Sequence, residues 1–241
     1  MVMKMSKKLL GISILFYSLT AFAQTKADQK TYLQNVMTQM KMKWPANRMI
    51  HIVVHGHSVP AGYFKTPEVD TFNAYPHLLH KALKKQYPHA VINVTVTAIG
   101  GENSENGAKR FERDVLSIKP DLVLIDYALN DRSVGLLKSQ IAWTKMIKAA
   151  KAKGIKVLLL TPTADKRAKL TDPLDPLNRH AEQVRALAKE HSVGLVDSYA
   201  VFKKYVALGN DLNDLMSQIN HPNRQGHDLV VLELMKWFPV K

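Results

Sequence analysis

A serine lies between two glycines directly after a short apolar run. Residues 50–54 predict a buried strand, and Gly56, Ser58 and Gly62 follow it. Glycine permits a tight exit from the strand, so the Ser58 hydroxyl and its own amide can face the same cleft. The pattern predicts a nucleophile that attacks carbonyl carbon, although a serine in a glycine turn is also typical of an ordinary loop.

A histidine near the carboxyl terminus is the candidate base for this serine. His221 belongs to the segment 220–227, just before the last predicted helix, and Pro222 restrains the chain beside it. An imidazole with a pKa of about 6.5 can accept the serine proton and return it to a leaving alcohol. Ser58 and His221 together therefore predict acyl transfer, with a structural loop histidine as the alternative.

Two other strand ends carry hydrogen-bond donors. Gly100 and Gly101 follow the second predicted strand, and Asn130 follows the third. A glycine amide and the Asn130 side chain can join the Ser58 amide around a developing oxyanion, and losing one such donor typically costs about 10²- to 10³-fold in rate. Taken separately, these motifs are also common loop and helix-cap signals.

An alternation of strands and helices must position these residues. After an amphipathic segment, 27–43, apolar runs alternate with helical spacing up to a last helix over 225–237. The runs that predict five parallel strands are 50–54, 91–98, 122–127, 157–160 and 193–196. Right-handed crossovers predict a three-layer α/β/α sandwich that binds ligands beyond the carboxyl ends of its strands. The proline-containing stretch 162–176 predicts a long loop at that edge.

Four segments together resemble the SGNH (GDSL-like) hydrolases, over nearly all of the chain after residue 23. The matching motifs are Gly56-His57-Ser58 with Gly62, then Gly101, then Asn130-Asp131, and finally His221-Pro222-Asn223 with Gly226-His227. The resemblance implies the flavodoxin-like fold of that family and an acyl-enzyme mechanism that needs no cofactor or metal. It implies Ser58 as nucleophile and His221 as general base. It also implies that Gly101 and Asn130 join the Ser58 amide as oxyanion donors.

Two departures from the family pattern are mild. His57 stands where the family has aspartate, and Ala128 stands where its third block opens with glycine. We expect His57 to change packing or pH response without changing the reaction type. Ala128 adds a methyl group near the oxyanion loop.

The third departure removes an acid. The family has an acidic residue three positions before its histidine, and Gln218 occupies that position here. In serine proteases the acid holds the imidazole tautomer and is worth about 10⁴ in rate. Asp165 is the first candidate to orient His221 instead, and Asp214 is the second. A backbone carbonyl or the Gln218 side-chain oxygen is the neutral alternative.

The amino-terminal residues predict export. Lys4, Lys7 and Lys8 precede the apolar run 9–21, and Ala21-Phe22-Ala23 fits a signal peptidase site. Cleavage there leaves residues 24–241 as one hydrolase domain, secreted or periplasmic, and a retained membrane anchor is the alternative. We expect no integral membrane segment after cleavage. The chain has no cysteine for a disulfide, a thiolate nucleophile or a lipid anchor.

Composition limits the function classes. The net charge of +14 fits either acidic surroundings or a solvated surface that keeps the protein soluble, and scattered lysines without interleaved aromatics argue against a nucleic-acid partner. The expected substrate is an acylated small molecule or an acetylated polysaccharide, and a lysophospholipase or lipase is the runner-up. His55 and His57 allow a metal hydrolase, although two ligands do not complete a site. A non-catalytic carbohydrate-binding relative is the other alternative, and the sequence leaves the oligomeric state open.

Overall fold

A parallel sheet forms the centre of the molecule. The computed structural model describes residues 27–240. The strands are β1 (Met49–Gly56), β2 (Val91–Val96), β3 (Leu122–Asp126), β4 (Lys156–Leu160) and β5 (Gly194–Val196). All pairings are parallel, and the order is β2-β1-β3-β4-β5. The predicted α/β fold with five parallel strands is confirmed.

Helices cover both faces of this sheet. Within residues 27–240 they are α1 (Gln34–Met40), α2 (Ser58–Ala61), α3 (Tyr75–Gln86), α4 (Ser104–Asp114), α5 (Leu136–Ala152), α6 (Pro176–Glu190), α7 (Ser198–Ala207) and α8 (Arg224–Met235). Buried residues of α1, α3, α7 and α8 pack against one face. Those of α4 and α5 pack against the other, and α6 contributes to both clusters. This is the predicted three-layer arrangement.

The strand sequences explain the two cores. Ile52 and Val54 of β1 belong to one cluster, and Val53 between them belongs to the other. Successive side chains of a strand point to opposite faces, so a sheet covered on both sides needs a continuous apolar run. Trp143 of α5 and Trp237 after α8 are both fully buried, one in each cluster.

The strand order creates a crevice at one edge. β2 lies on one side of β1, and β3 to β5 lie on the other. The loops that leave the carboxyl ends of β1 and β3 therefore run in opposite directions. Ligands of open α/β sheets bind at such a switch point, beyond the carboxyl ends of the strands. The register aligns Gly56, the last residue of β1, with Asp126, the last residue of β3. Residues after these two positions are therefore close in space.

The first helix is shorter than predicted. The amphipathic spacing predicts a helix over 27–43, whereas α1 begins at Gln34. The carboxylate of Asp28 accepts hydrogen bonds from the amides of Lys30 and Thr31 and from the Thr31 hydroxyl. Such local side-chain bonds compete with the helical bonds of the backbone, so turns replace the first part of the predicted helix.

The described residues exclude both chain ends and include the long loop after β4. The predicted signal peptide, residues 1–23, lies outside the described residues, as does the last residue of the chain. Within residues 27–240, every helix is too short or too polar to cross a bilayer. The stretch 162–176 is irregular, as predicted, and connects β4 with α6.

Candidate active site

Ser58 begins a single helical turn directly after β1. His57 caps this turn, because its Nδ1 accepts a hydrogen bond from the Val59 amide at 3.2 Å. Gly56 is required before it, since a Cβ there would lie 2.5 Å from the Asp126 carbonyl oxygen and 2.8 Å from Pro60 Cγ. The close approach of β1 to β3 therefore fixes where Ser58 begins the turn.

His221 lies beside Ser58. The Ser58 Oγ is 2.9 Å from His221 Nε2, and both side chains are buried. The loop before α8 is held by Ser217, whose amide and hydroxyl each donate to the His221 carbonyl at 3.0 Å. Asn223 caps α8 by accepting from the Gly226 amide. The structure thus brings the predicted nucleophile and the predicted base into hydrogen-bond contact.

Two neutral groups surround the other ring nitrogen. The Nδ1 of His221 lies 3.1 Å from the Phe64 carbonyl oxygen and 2.5 Å from Gln218 Nε2. The side-chain oxygen of Gln218 accepts from the Thr66 amide at 3.1 Å and the Thr66 hydroxyl at 3.3 Å. Of the neutral orienters considered above, a backbone carbonyl is present, whereas Gln218 turns its oxygen away from the ring.

The two candidate acids are bonded elsewhere. The buried carboxylate of Asp165 accepts hydrogen bonds from Arg132 at 2.6 Å and from Arg167 at 2.9 Å. Asp214 accepts from the Tyr205 hydroxyl at 3.2 Å. Asp165 follows β4 at the edge of the sheet where the site lies. Its position is as expected, but two guanidinium groups engage its oxygens.

The environment of His221 affects its basicity. Burial lowers the pKa of His221 below its ordinary value, the hydrogen bond to the Phe64 carbonyl opposes this, and nearby His57 adds to the lowering. A lowered pKa keeps the imidazole unprotonated at neutral pH, which is the state a general base requires.

The candidate oxyanion donors lie on two connected loops. Gly101 has a φ of +77°, a left-handed conformation that favours glycine. Asn130 Nδ2 donates to the Glu102 carbonyl at 2.9 Å, which leaves its second N–H for another acceptor. The buried carboxylate of Asp131 accepts from the Ser104 amide at 2.8 Å and from the Trp143 indole at 2.6 Å. These bonds tie the loop after β2 to the loop after β3.

Sequence reasoning missed a buried pair next to the nucleophile. His57 Nε2 lies 3.4 Å from Asp126 Oδ1, and Tyr75 donates its hydroxyl hydrogen to Asp126 Oδ2 at 3.1 Å. Asp126 is the last residue of β3, so only the register with β1 brings it to His57. The sequence signal was an acidic residue at the end of an otherwise apolar strand.

His55 and His57 do not face a common ligand position. The ring nitrogens of His55 lie 2.8 Å from Thr97 Oγ1 and 3.1 Å from the Gly107 carbonyl oxygen. His57 instead faces Val59 and Asp126. In the part of the chain that the structure describes, no group of three or more histidine, aspartate or glutamate side chains is arranged to hold a metal ion.

A polar pocket of about 680 Å³ lies near the site, although neither Ser58 nor His221 is among its lining residues. It adjoins the site through Phe64, whose carbonyl oxygen faces His221 Nδ1. The lining combines two aromatic rings with polar and charged side chains: Phe64, Asp70, Tyr205, Asn213, Asp214, Asn223, Arg224 and Gln225.

A serine hydroxyl bonded to an imidazole at the carboxyl edge of a parallel sheet defines a class of hydrolases that act on esters. A family model described as GDSL-like lipase/acylhydrolase matches residues 54–229. The chain belongs to the GDSL-like lipase/acylhydrolase family and is a serine hydrolase of ester bonds. The family predicted from the four motifs is confirmed.

Solved structures share this fold at low sequence identity. Axe2, an acetylxylan esterase from Geobacillus stearothermophilus, is 21% identical with a TM-score of 0.69, over 80% of this chain and 95% of that one. CEX, a two-domain esterase active on acetylated mannans, is 22% identical with a TM-score of 0.67, over 86% of this chain and 52% of that one. Other matched structures are catalytic mutants of Axe2 in which a serine, a histidine or an aspartate is replaced by alanine. A comparison with curated protein sequences finds no match.

Proposed function

We propose that this protein hydrolyses carboxylic esters through an acyl-enzyme on Ser58. The observation that carries the proposal is the 2.9 Å distance between Ser58 Oγ and His221 Nε2. At this distance the imidazole can accept the hydroxyl proton as the oxygen attacks.

The reaction proceeds in two acyl transfers. Ser58 Oγ bonds to the ester carbonyl carbon while its proton passes to His221 Nε2. The negative charge on the carbonyl oxygen is stabilised by the amides of Ser58 and Gly101 and by the Asn130 side chain. Collapse of this intermediate breaks the bond to the alcohol, which takes the proton from His221. Water then attacks the acyl-enzyme, gives a proton to His221 and releases the acid, and Ser58 recovers its proton.

The proposed substrate is an O-acetylated carbohydrate. Axe2 and CEX are described as esterases of acetylated xylan and acetylated mannans, and both share this fold. The nearby pocket lined by Phe64, Tyr205 and polar side chains supports a sugar as the alcohol part, because polar groups and aromatic rings suit a carbohydrate. The positive net charge supports an acidic polysaccharide environment.

Acetate release tests this proposal. We expect the protein to release acetate from acetylated xylan or acetylated mannan, and Ser58→Ala to abolish the release. Asn106→Ala, a substitution on the exposed side of α4, is the matched control and keeps full activity. A clear preference for long-chain acyl esters, as in a lysophospholipase or lipase, would overturn the carbohydrate assignment and keep the mechanism. Tight sugar binding without hydrolysis would overturn the mechanism.

We also propose that the protein is exported, from the pattern of residues 4–23. Expression of the full chain in a bacterial host is expected to yield a mature protein that starts at Gln24. Intact-mass measurement of the product in the periplasm or medium checks this. A product that retains residues 1–23 in the membrane fraction would contradict it.

A further inference from the structure

The side-chain amide of Gln218 has a fixed orientation. The Thr66 backbone N–H can only donate, so the Gln218 atom 3.1 Å away from it must be oxygen. The Thr66 hydroxyl donates to the same oxygen. The amide nitrogen of Gln218 therefore points at His221 Nδ1, 2.5 Å away.

This orientation gives Nδ1 two incompatible partners. The amide nitrogen of Gln218 can only donate a hydrogen bond, which requires an unprotonated Nδ1. The Phe64 carbonyl oxygen can only accept one, which requires a proton on Nδ1. A neutral imidazole carries one proton, so each of its tautomers satisfies one partner and fails the other.

The two tautomers differ in whether Nε2 of His221 can accept the proton of Ser58. When Nδ1 accepts from Gln218, the ring proton is on Nε2, which then faces the Ser58 hydroxyl as a donor. That nitrogen has no free lone pair for the serine proton. When Nδ1 donates to Phe64, Nε2 is free to act as the base, but two donors then oppose each other between His221 and Gln218. The Gln218 amide is in contact with Nδ1, and its direction is fixed by Thr66, so it opposes the tautomer that Ser58 needs.

We propose that Gln218 is a positioning residue that holds His221 in the tautomer with its proton on Nε2, and so restrains ester hydrolysis. The inference rests on the proposed function. The family's acid is thus replaced here by an amide that presents a hydrogen-bond donor to Nδ1 where a carboxylate would present an acceptor. Gln218→Glu restores an acceptor without changing the number of heavy atoms. One carboxylate oxygen keeps the bonds from Thr66, and the other accepts from a protonated Nδ1.

The expected change in kcat follows from the hydrogen-bond partners of His221 Nδ1. One neutral hydrogen bond changes a tautomer equilibrium by roughly tenfold. A carboxylate also stabilises the imidazolium that forms during attack, and loss of the correct tautomer costs about 10⁴ in a serine protease. We therefore expect Gln218→Glu to raise kcat by at least about tenfold, with little change in KM.

Two measurements on the full folded protein test the proposal. Nitrogen NMR of the His221 ring, above the pH at which it protonates, reports which nitrogen lacks a proton. We expect an unprotonated Nδ1 in the wild type and an unprotonated Nε2 in Gln218→Glu. Steady-state hydrolysis of a small activated acetyl ester by both proteins gives the change in kcat. Gln140→Glu, the same substitution on the exposed side of α5, is the control and is expected to behave as wild type.

The variant Gln218→Ala tests whether Gln218 slows ester hydrolysis or only holds the His221 ring in place. Alanine removes the opposing donor and leaves Phe64 as the partner of Nδ1, so kcat is expected to rise above the wild-type value. A fall in kcat with unchanged folding would overturn the proposal, as would an unprotonated Nε2 in the wild-type spectrum. The NMR result does not depend on turnover. If no variant hydrolyses any ester while the spectra are as expected, the proposed function fails and the tautomer assignment stands.

Discussion

His57 Nε2 lies 3.4 Å from Asp126 Oδ1, and both side chains are buried. The same imidazole caps the turn that begins with Ser58, because its Nδ1 accepts from the Val59 amide. His57 therefore lies between the end of β3 and the turn that carries the candidate nucleophile, and its buried Nε2 contacts Asp126 without a hydrogen bond. SGNH hydrolases have an aspartate at the position of His57. Here the carboxylate is on the neighbouring strand, and the histidine faces it.

Restoring the family aspartate is expected to harm this protein. In His57→Asp a second carboxylate would be buried next to Asp126, and two like charges without a cation are costly. We expect the free energy of unfolding to fall by at least about 2 kcal/mol in denaturant titrations. The double variant with Asp126→Asn removes the repulsion and is expected to recover part of the loss, with a coupling energy of about 1–3 kcal/mol. A His57→Asp protein as stable as the wild type would contradict the buried proximity of residues 57 and 126.

Asn130→Ala tests the proposed oxyanion role. Loss of one oxyanion donor is expected to lower kcat by about 10²- to 10³-fold with little change in KM. The bond from Asn130 to the Glu102 carbonyl is lost as well, so we expect a stability loss of about 1 kcal/mol. Steady-state kinetics and thermal unfolding check both values. A kcat within about threefold of wild type would remove Asn130 from the proposed oxyanion site.

The pH dependence follows from the lowered pKa of His221. A general base works only when unprotonated, so the rate falls as the pH drops through its pKa. Burial lowers the pKa of His221, so the midpoint of the acid limb of kcat/KM is expected below about 6.5. The carboxylate introduced by Gln218→Glu favours the charged imidazole and is expected to move this midpoint upward. A wild-type midpoint at or above about 6.5 would contradict the role of burial.

Asp165 is expected to contribute to stability rather than to catalysis. Asp165→Ala leaves Arg132 and Arg167 without their shared partner, and we expect a loss of about 1–3 kcal/mol in unfolding free energy. The pH profile of hydrolysis is expected to stay unchanged. Asp172→Ala in the same loop is the matched control, because Asp172 is only half-buried and bonds only locally among the described residues.

The ion pairs of Asp165 with Arg132 and Arg167 also predict how its contribution to stability depends on pH. Burial raises the pKa of Asp165, but the hydrogen bonds from Arg167 and Arg132 outweigh it and lower the pKa to about 2. A carboxyl group with a depressed pKa stabilises the fold above its unfolded pKa of about 3.9 and loses this effect as the pH falls towards the folded value. The stability difference between wild type and Asp165→Ala is therefore expected to narrow below about pH 4. A difference that widens on acidification would contradict the ion pairs.

The sequence predicted the architecture because the fold depends on local pattern. Continuous apolar runs separated by helical spacing are what a sheet covered on both faces requires, and the five strands lie where these runs occur. Helix ends are less predictable, since the early residues of the first predicted helix follow the local bonds of Asp28 instead. The proximity of Ser58 to His221, 163 positions apart, was predicted through the family motifs rather than by any local signal.

The supporting groups of the site were not predictable in the same way. Phe64 faces His221 with a backbone carbonyl, and every residue type has one, so no side chain marks the position. The contact of His57 with Asp126 depends on the register of two strands. Gln218 was visible as a departure from the family pattern. The direction of its amide, however, depends on Thr66, a residue 152 positions away.

Covalent labelling of Ser58 is the most direct test of the central claim. The protein is treated with a fluorophosphonate ester, and the modified peptide is identified by mass spectrometry. We expect one adduct per chain on Ser58, no adduct in Ser58→Ala, and much slower labelling in His221→Ala. A modified residue other than Ser58, or equal labelling rates for wild type and His221→Ala, would contradict a nucleophile activated by His221.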